Sequence, residues 1–459
     1  MKKRLLPGLI TLLAAQPAFS LNLIETYEKA LSYDSGIASA LAQFEAQQAA
    51  SDVSKSSLLP QIAAFAEASH VNSDPKQGSS TNSRPLNYGV QLTQPLFKAD
   101  NWFNYDASQF QTEAAEAQYN QAQQQLMLNV SEAYFNVLRA QDTVTTAEAT
   151  EAAIQRQYEQ AQERFDVGLI AITEVYEARA SFDDAKSQRI AAENQLNVSR
   201  EQLARLTGEY AEDLENLREN FPLGRPEPMN PAAWETTALE QNWSIQAALS
   251  ELNANEAGLK SAKSGHLPTL NLTASYTETD VHGNERGPTG QPQQFEGSRG
   301  VIGLELNVPL YTGGGTQAGV RQQRSLVTAA EQDLNTARRD VRVNTRSLFL
   351  TVNNNVETAN ALEQTIISRR SALDATRAGY DVGTRNIVEV LDAERAYYVA
   401  LRDYANARYD YVINTLQLKQ AAGILSPQDL LELNNWLSAS ARGIEALAND
   451  GQMLDDPMQ

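Results

Sequence analysis

The sequence predicts a mainly α-helical protein with a small β part that crosses a membrane, built as two copies of one structural repeat. Three observations carry this. Two stretches of roughly sixty or more residues contain neither glycine nor proline, long enough for helical rods on the order of 90 to 100 Å. Short segments alternate apolar and polar residues with the period of two that marks a half-buried strand. Motifs of the first half also recur in the second, and internal repetition decides the fold before any local reading does.

Residues 1–20 have the layout of an export signal: Lys2, Lys3 and Arg4, an apolar run from Leu5 to Ala15, then Ala18 and Ser20. The mature chain is expected to start at Leu21. The chain has no cysteine, so export brings no disulfide framework. A formal charge of -20 with no basic stripe excludes nucleic acid as the partner. No later apolar run is long enough for a membrane-crossing helix, so any span must be made by strands.

The first repeat is expected over 21–220, the second over 232–437, with a proline-rich linker at 221–231 and a disordered polar tail at 438–459. Leu58-Leu-Pro60-Gln-Ile answers to His266-Leu-Pro268-Thr-Leu, and Gln91-Leu-Thr-Gln-Pro95-Leu-Phe to Glu305-Leu-Asn-Val-Pro309-Leu-Tyr. Each repeat opens with one alanine-rich helix, roughly Leu23 to Ser57 and Ala232 to Ser264, ended by Pro60 and Pro268. Strands follow. Leu270, Leu272, Ala274 and Tyr276 share one face, as do Ile302, Leu304 and Leu306, Tyr88, Val90 and Leu92, and Ile62, Ala64, Ala66 and Ala68. Roughly ten alternating residues match a tilted transmembrane strand. The strand pairs enclose polar loops, Asn72 to Asn87 and Thr279 to Gly300, expected outside the cell.

The long helices then run from Pro95 to Gly168 and from Gly319 to Gly379, with return helices over Ile170 to Thr207 and Asn386 to Ala422. Leu126, Val130, Ala133, Val137, Ala140, Val144, Ala147, Glu151, Ile154, Tyr158, Ala161 and Phe165 keep a three-four spacing, a seam that requires a partner helix. Val175, Ala178, Phe182, Ala185 and Leu196 on one return helix, and Val390, Ala393, Tyr397, Ala400 and Tyr404 on the other, supply matching seams. Each hairpin turns at a glycine, Gly168 or Gly383, the residue suited to the positive φ at which a helix ends. A last short helix is expected over Leu425 to Trp436.

Four strands cannot close a barrel, and an open edge cannot face lipid, so copies must combine. Two chains would give eight strands and three would give twelve; periodicity does not choose between them.

The repeated unit, the Asp-Val-Gly turns ending at Gly168 and Gly383, Ile172-Thr-Glu174-Val, Gly265-His-Leu-Pro268-Thr-Leu and Asn406-Ala-Arg-Tyr-Asp-Tyr together resemble the TolC family of outer-membrane exit ducts. The resemblance implies a homotrimer whose twelve-stranded β-barrel lies in outer-membrane lipid and continues as a twelve-helix α-barrel across the periplasm. It implies periplasmic adaptor proteins and inner-membrane efflux pumps or secretion transporters as partners, and service in drug efflux and type I protein secretion. It further implies gate links between hairpins at Glu174 with Tyr380, Thr173 or Glu174 with Arg385, and Gln157, where the position expected to supply the carboxylate partner holds Arg377. An acidic entrance ring falls on Glu389 and Asp392, which sit three apart on one helical face. No nucleophile, base or metal cluster supports an enzyme, and no cofactor is expected. The other live reading is a non-conducting periplasmic coiled-coil scaffold or adaptor; the membrane-length strands favour the duct.

Overall fold

The structure, a computed structural model, describes residues 21–73, 81–211, 213–283 and 295–439. The expected export signal, nearly all of the tail, and the loop positions 74–80 and 284–294 lie outside the described residues. In chain order the elements are α1 (Leu23–Tyr33), α2 (Ser35–Ser56), β1 (Gln61–Ala68), β2 (Val71–Ser73), β3 (Thr81–Phe97), α3 (Ala99–Asp166), α4 (Ile172–Thr207) and β4 (Asn216–Leu217). They continue as α5 (Pro231–Gln241), α6 (Trp243–Ser264), β5 (Thr269–Gly283), β6 (Phe295–Asn307), α7 (Gly315–Asp381), α8 (Ile387–Ala421), α9 (Pro427–Asn434) and β7 (Leu437–Ser438). The order helix pair, strands, long helical hairpin occurs twice.

Two details depart from the sequence reading. Each opening helix is broken in two, because Asp34 takes an extended backbone (ψ 121°) and Asn242 turns its side chain to accept from the Ser244 amide at 3.0 Å, starting a new helix. The strands also run further than their apolar alternation. Positions 81–87, 279–283 and 295–300, expected as loop, are paired strand, since ladder hydrogen bonds need no apolar side chain.

The chain forms two compact units. The strand unit comprises Gly36–Ala122 and Thr236–Val343. Its sheet is antiparallel in the order β1-β3-β5-β6, with β2 a short extra partner of β3. The register sets Ile62, Leu92, Ala274 and Ile302 in one cross-strand row and Ala64, Val90 and Tyr276 in another, with Leu272 beside Leu304 and Leu270 beside Leu306. All of these share a face, and much of that face is bare: Ile302 is 77% exposed, Leu304 66% and Leu306 64%. The other face carries the rows Gln61, Thr93, Thr273 and Ala63, Gln91, Ser275. Pro95 has no amide hydrogen for the ladder, and the β3–β5 register shifts between Pro95 and Phe97.

Below the sheet the helices keep the strand order. Phe44 of α2 stacks on Tyr119 of α3 (6.0 Å between ring centres), Asn101 of α3 donates to the Ser57 carbonyl at 2.6 Å, and Ser250 of α6 reaches Glu113 of α3 at 3.4 Å. Between α6 and α7, Gly258 admits Gln323, whose Nε2 lies 2.8 Å from where a Cβ would stand.

The other unit, Met1–Ser35, Gln123–Glu235 and Asn344–Gln459, holds the two hairpins and, packed beside them, a collar of short elements. Every residue of the α3 seam from Leu126 to Phe165 is buried or half-buried, as are the α4 and α8 seams. Stacked Tyr158 and Phe182 join α3 to α4, and Leu373, Tyr397 and Leu401 cluster between α7 and α8. In the collar, Leu21 bridges Leu214, β4 pairs β7, and Tyr134 donates to the Glu215 carbonyl at 2.7 Å. Residues around 221–231 pack rather than hang free. Phe221 lies edge-on to Tyr411 and Trp436, and Tyr411 donates to the Gly224 carbonyl at 2.8 Å. A second buried face of α8 sets the Tyr409 hydroxyl on Asp142 of α3 at 2.7 Å, with Arg139 on Asp410 at 2.6 Å. Burial, and then the Asp142 charge, push the Tyr409 phenol well above its ordinary value.

Candidate gate at the hairpin tips

Both hairpins turn on the same local geometry. Gly168 and Gly383 each sit at φ 78°, with nothing near a notional Cβ, so backbone conformation rather than space calls for glycine. Their amides close the ends of α3 and α7, Gly168 on the Phe165 carbonyl at 2.8 Å and Gly383 on the Tyr380 carbonyl at 2.9 Å. The second turn is more tightly tied. The Gly379 carbonyl accepts from the Thr384 amide (2.8 Å), the Arg385 amide (3.2 Å) and the Thr384 hydroxyl (2.9 Å), an approach that a Cβ on Gly379 would obstruct. Asn386 caps α8 by accepting from the Glu389 amide at 2.9 Å, whereas Ala171 opens α4 with no side-chain cap.

Within one chain the polar residues expected at the tips are partnered as follows. Tyr380 on the last turn of α7 accepts from the Arg164 guanidinium of α3 at 2.8 Å, and that guanidinium also lies 5.6 Å from its ring centre. Arg385 donates to Glu389 of its own hairpin at 2.5 Å. Thr173 and Glu174, in the first turn of α4, are exposed, and the Glu174 carboxylate has no hydrogen bond or ion pair among the described residues. Gln157 is half-buried on α3 and its Oε1 has no hydrogen-bond partner among the described residues. Arg377 donates at 2.6 Å to Glu394, whose side chain is only 6% exposed.

The ring candidates lie on the first turns of α8. Hydrogen bonding from Arg385 holds the Glu389 carboxyl below the usual carboxylate range. Asp392 is exposed, with Arg395 at 3.8 Å. Arg164, Glu394 and Arg395 were not singled out from the sequence. Arg395 was findable there, three residues beyond Asp392, while Arg164 and Glu394 acquire meaning only once the helices are side by side.

A sheet with an apolar, solvent-bare face and no partner on the outer side of β1 or β6 among the described residues, joined to long helical hairpins, defines a membrane-channel protein of the outer-membrane kind. The signature of the Outer membrane efflux protein family matches residues 26–209 and 234–424, and the chain belongs to that family. It is 38% identical over 422 residues to Outer membrane protein TolC of Vibrio cholerae, covering 92% of this chain and 95% of the relative. Outer membrane protein TolC of Escherichia coli K12 is 38% identical over 447 residues (95% of this chain, 90% of the relative). Alkaline protease secretion protein AprF of Pseudomonas aeruginosa is 28% identical over 92% of this chain and 89% of its own. In fold the chain matches the CmeC outer membrane channel of Campylobacter jejuni with a TM-score of 0.76 at 19% identity, covering 92% of this chain and 91% of that one. The protein is an outer-membrane efflux channel of the TolC type, a transport protein and not an enzyme.

Proposed function

We propose that three copies of the chain assemble into an exit duct across the outer membrane and periplasm, closed at the hairpin tips. The observation that carries this reading is the sheet: its two outer edges have no partner among the described residues and one face is apolar, so β1 of one copy supplies the partner that β6 of the next lacks. The apolar face is turned to lipid and the glutamine-, threonine- and serine-bearing face to the lumen. β1 and β3 come from one repeat, 21–220, and β5 and β6 from the other, 232–437, joined by the segment 221–231.

At the hairpin tips, Gln157, Thr173, Glu174, Tyr380 and Arg385 link neighbouring hairpins, Gly168 and Gly383 shape the turns, and Glu389 with Asp392 forms a carboxylate ring at the entrance. Glu174, with no hydrogen bond or ion pair among the described residues, is a ready acceptor for Arg385 of another hairpin. Exposed links of this kind hold weakly, about 1 kcal/mol or less each, so several keep a gate shut while remaining breakable. Periplasmic adaptor proteins would break them and join the duct to inner-membrane efflux pumps or to type I secretion transporters, the partners that the family resemblance implies; the name of one relative, Alkaline protease secretion protein AprF, speaks of protein secretion.

The absence of cysteine makes a direct test clean. Ala63→Cys in β1 combined with Val301→Cys or Gly303→Cys in β6 should, on oxidation, give cross-linked dimers and trimers on a denaturing gel and nothing larger. A cross-linked ladder that continues beyond three, or monomer with both cysteine pairs, would overturn the closed trimer.

A further inference from the structure

We infer that Arg385 and Arg395 set the ion preference of the entrance by holding its two carboxylates in compensated pairs, so that the ring gains net negative charge only when an arginine leaves. The inference rests on the assignment of Glu389 and Asp392 to that ring.

The pairing follows from helix geometry. Glu389 lies four residues after Arg385 and Asp392 three before Arg395, the two spacings that bring side chains together on one helical face. The N···O separations are 2.5 Å and 3.8 Å, and all four side chains are at least a third exposed. The one other carboxylate on this stretch of α8, Glu394, is buried and already engaged by Arg377 across the hairpin. What the first turns of α8 present at the entrance from each chain is therefore two exposed carboxylates, each beside a guanidinium. Six carboxylates around an axis would bind a multivalent cation tightly; six carboxylates interleaved with six guanidiniums would not.

Arg385 has a second destination. As a latch it reaches a neighbouring hairpin's Glu174, and in doing so it leaves Glu389 uncompensated. The latched, closed ring is then more negative than the released one. A cation bound at the ring favours the closed gate, and opening lowers the affinity for that cation by the same factor.

Arg395 is the residue to change, because it alters the ring and leaves the latch untouched. The measurement is block of single-channel current in a planar bilayer by a trivalent hexaammine cation added on the hairpin side. Removing one positive charge from beside each of three ring carboxylates should lower the blocking concentration of Arg395→Gln on the order of tenfold relative to the parent. Adding Glu389→Gln and Asp392→Asn to Arg395→Gln should abolish the tight block. Equal blocking concentrations in parent and Arg395→Gln would overturn the compensation while leaving the ring assignment standing. Tight block that survives loss of both carboxylates would overturn both.

Discussion

Tyr380→Phe isolates one hydrogen bond at the gate. In the parent the hydroxyl accepts from Arg164 at 2.8 Å while the guanidinium lies 5.6 Å from the ring centre. The substitution removes the first contact and keeps the second, together with the ring's place on the α7 seam. A charge-assisted bond at an exposed position is worth about 0.5–1 kcal/mol once solvent competition is included. In the proposed trimer, three such bonds around the proposed gate total about 1.5–3 kcal/mol, which corresponds to roughly a ten- to hundredfold rise in the ratio of open to closed gate at RT of about 0.6 kcal/mol. The assay is the open probability of single channels at low voltage, with Arg164→Gln as companion because it removes the ring contact as well. The order should be parent, then Tyr380→Phe, then Arg164→Gln. An unchanged open probability in both variants would show that the bond between α3 and α7 has no part in holding the gate.

Gly208→Ala should destabilise the protein more than Gly168→Ala, as read by the thermal loss of helical circular dichroism. Both glycines have φ near 77–78°, but only at Gly208 would the new methyl meet another group, the Tyr33 ring at 2.7 Å, so to a backbone cost of about 1–2 kcal/mol is added a clash. Tyr409→Phe removes the buried hydroxyl that donates to Asp142 at 2.7 Å and should cost about 1.5–3 kcal/mol, seen as faster amide exchange in α8 near the collar. Arg377→Gln should be destabilising because it leaves the buried Glu394 without its cation, and Glu394→Gln added to it should recover most of the loss in the same melting assay.

How far this molecule could be read from its sequence depends on the range of the contacts involved. The α3 seam was legible to the residue, because a three-four repeat without glycine or proline admits one helical register and one buried face. The sheet faces were equally legible: period two alone assigned Leu270, Leu272, Ala274 and Tyr276 to the face on which the register places them. Strand ends were not, since positions such as Ser83 and Gly283 are held by partner backbone and have no apolar signature. The breaks at Asp34 and Asn242 were missed for a related reason. Each is an Asp or Asn in a short polar patch of an otherwise helical pattern, and whether it ends or continues a helix depends on tertiary packing. The collar was invisible because its pairings, Leu21 with Leu214 and Leu217 with Leu437, join distant parts of the chain. At the tips, local sequence marked the glycine turns, whereas the Arg164–Tyr380 bond spans 216 residues and left no local trace.

The central claim is that this chain, in several copies, makes a conducting duct. The most direct test is to reconstitute detergent-purified protein into a planar lipid bilayer and record current at fixed voltage. Discrete, uniform current steps are predicted, lost after the oligomer is denatured, with the step size unaffected by Tyr380→Phe in the fully open state. Protein that stays monomeric in buffer without detergent and gives no steps at any voltage would contradict the account.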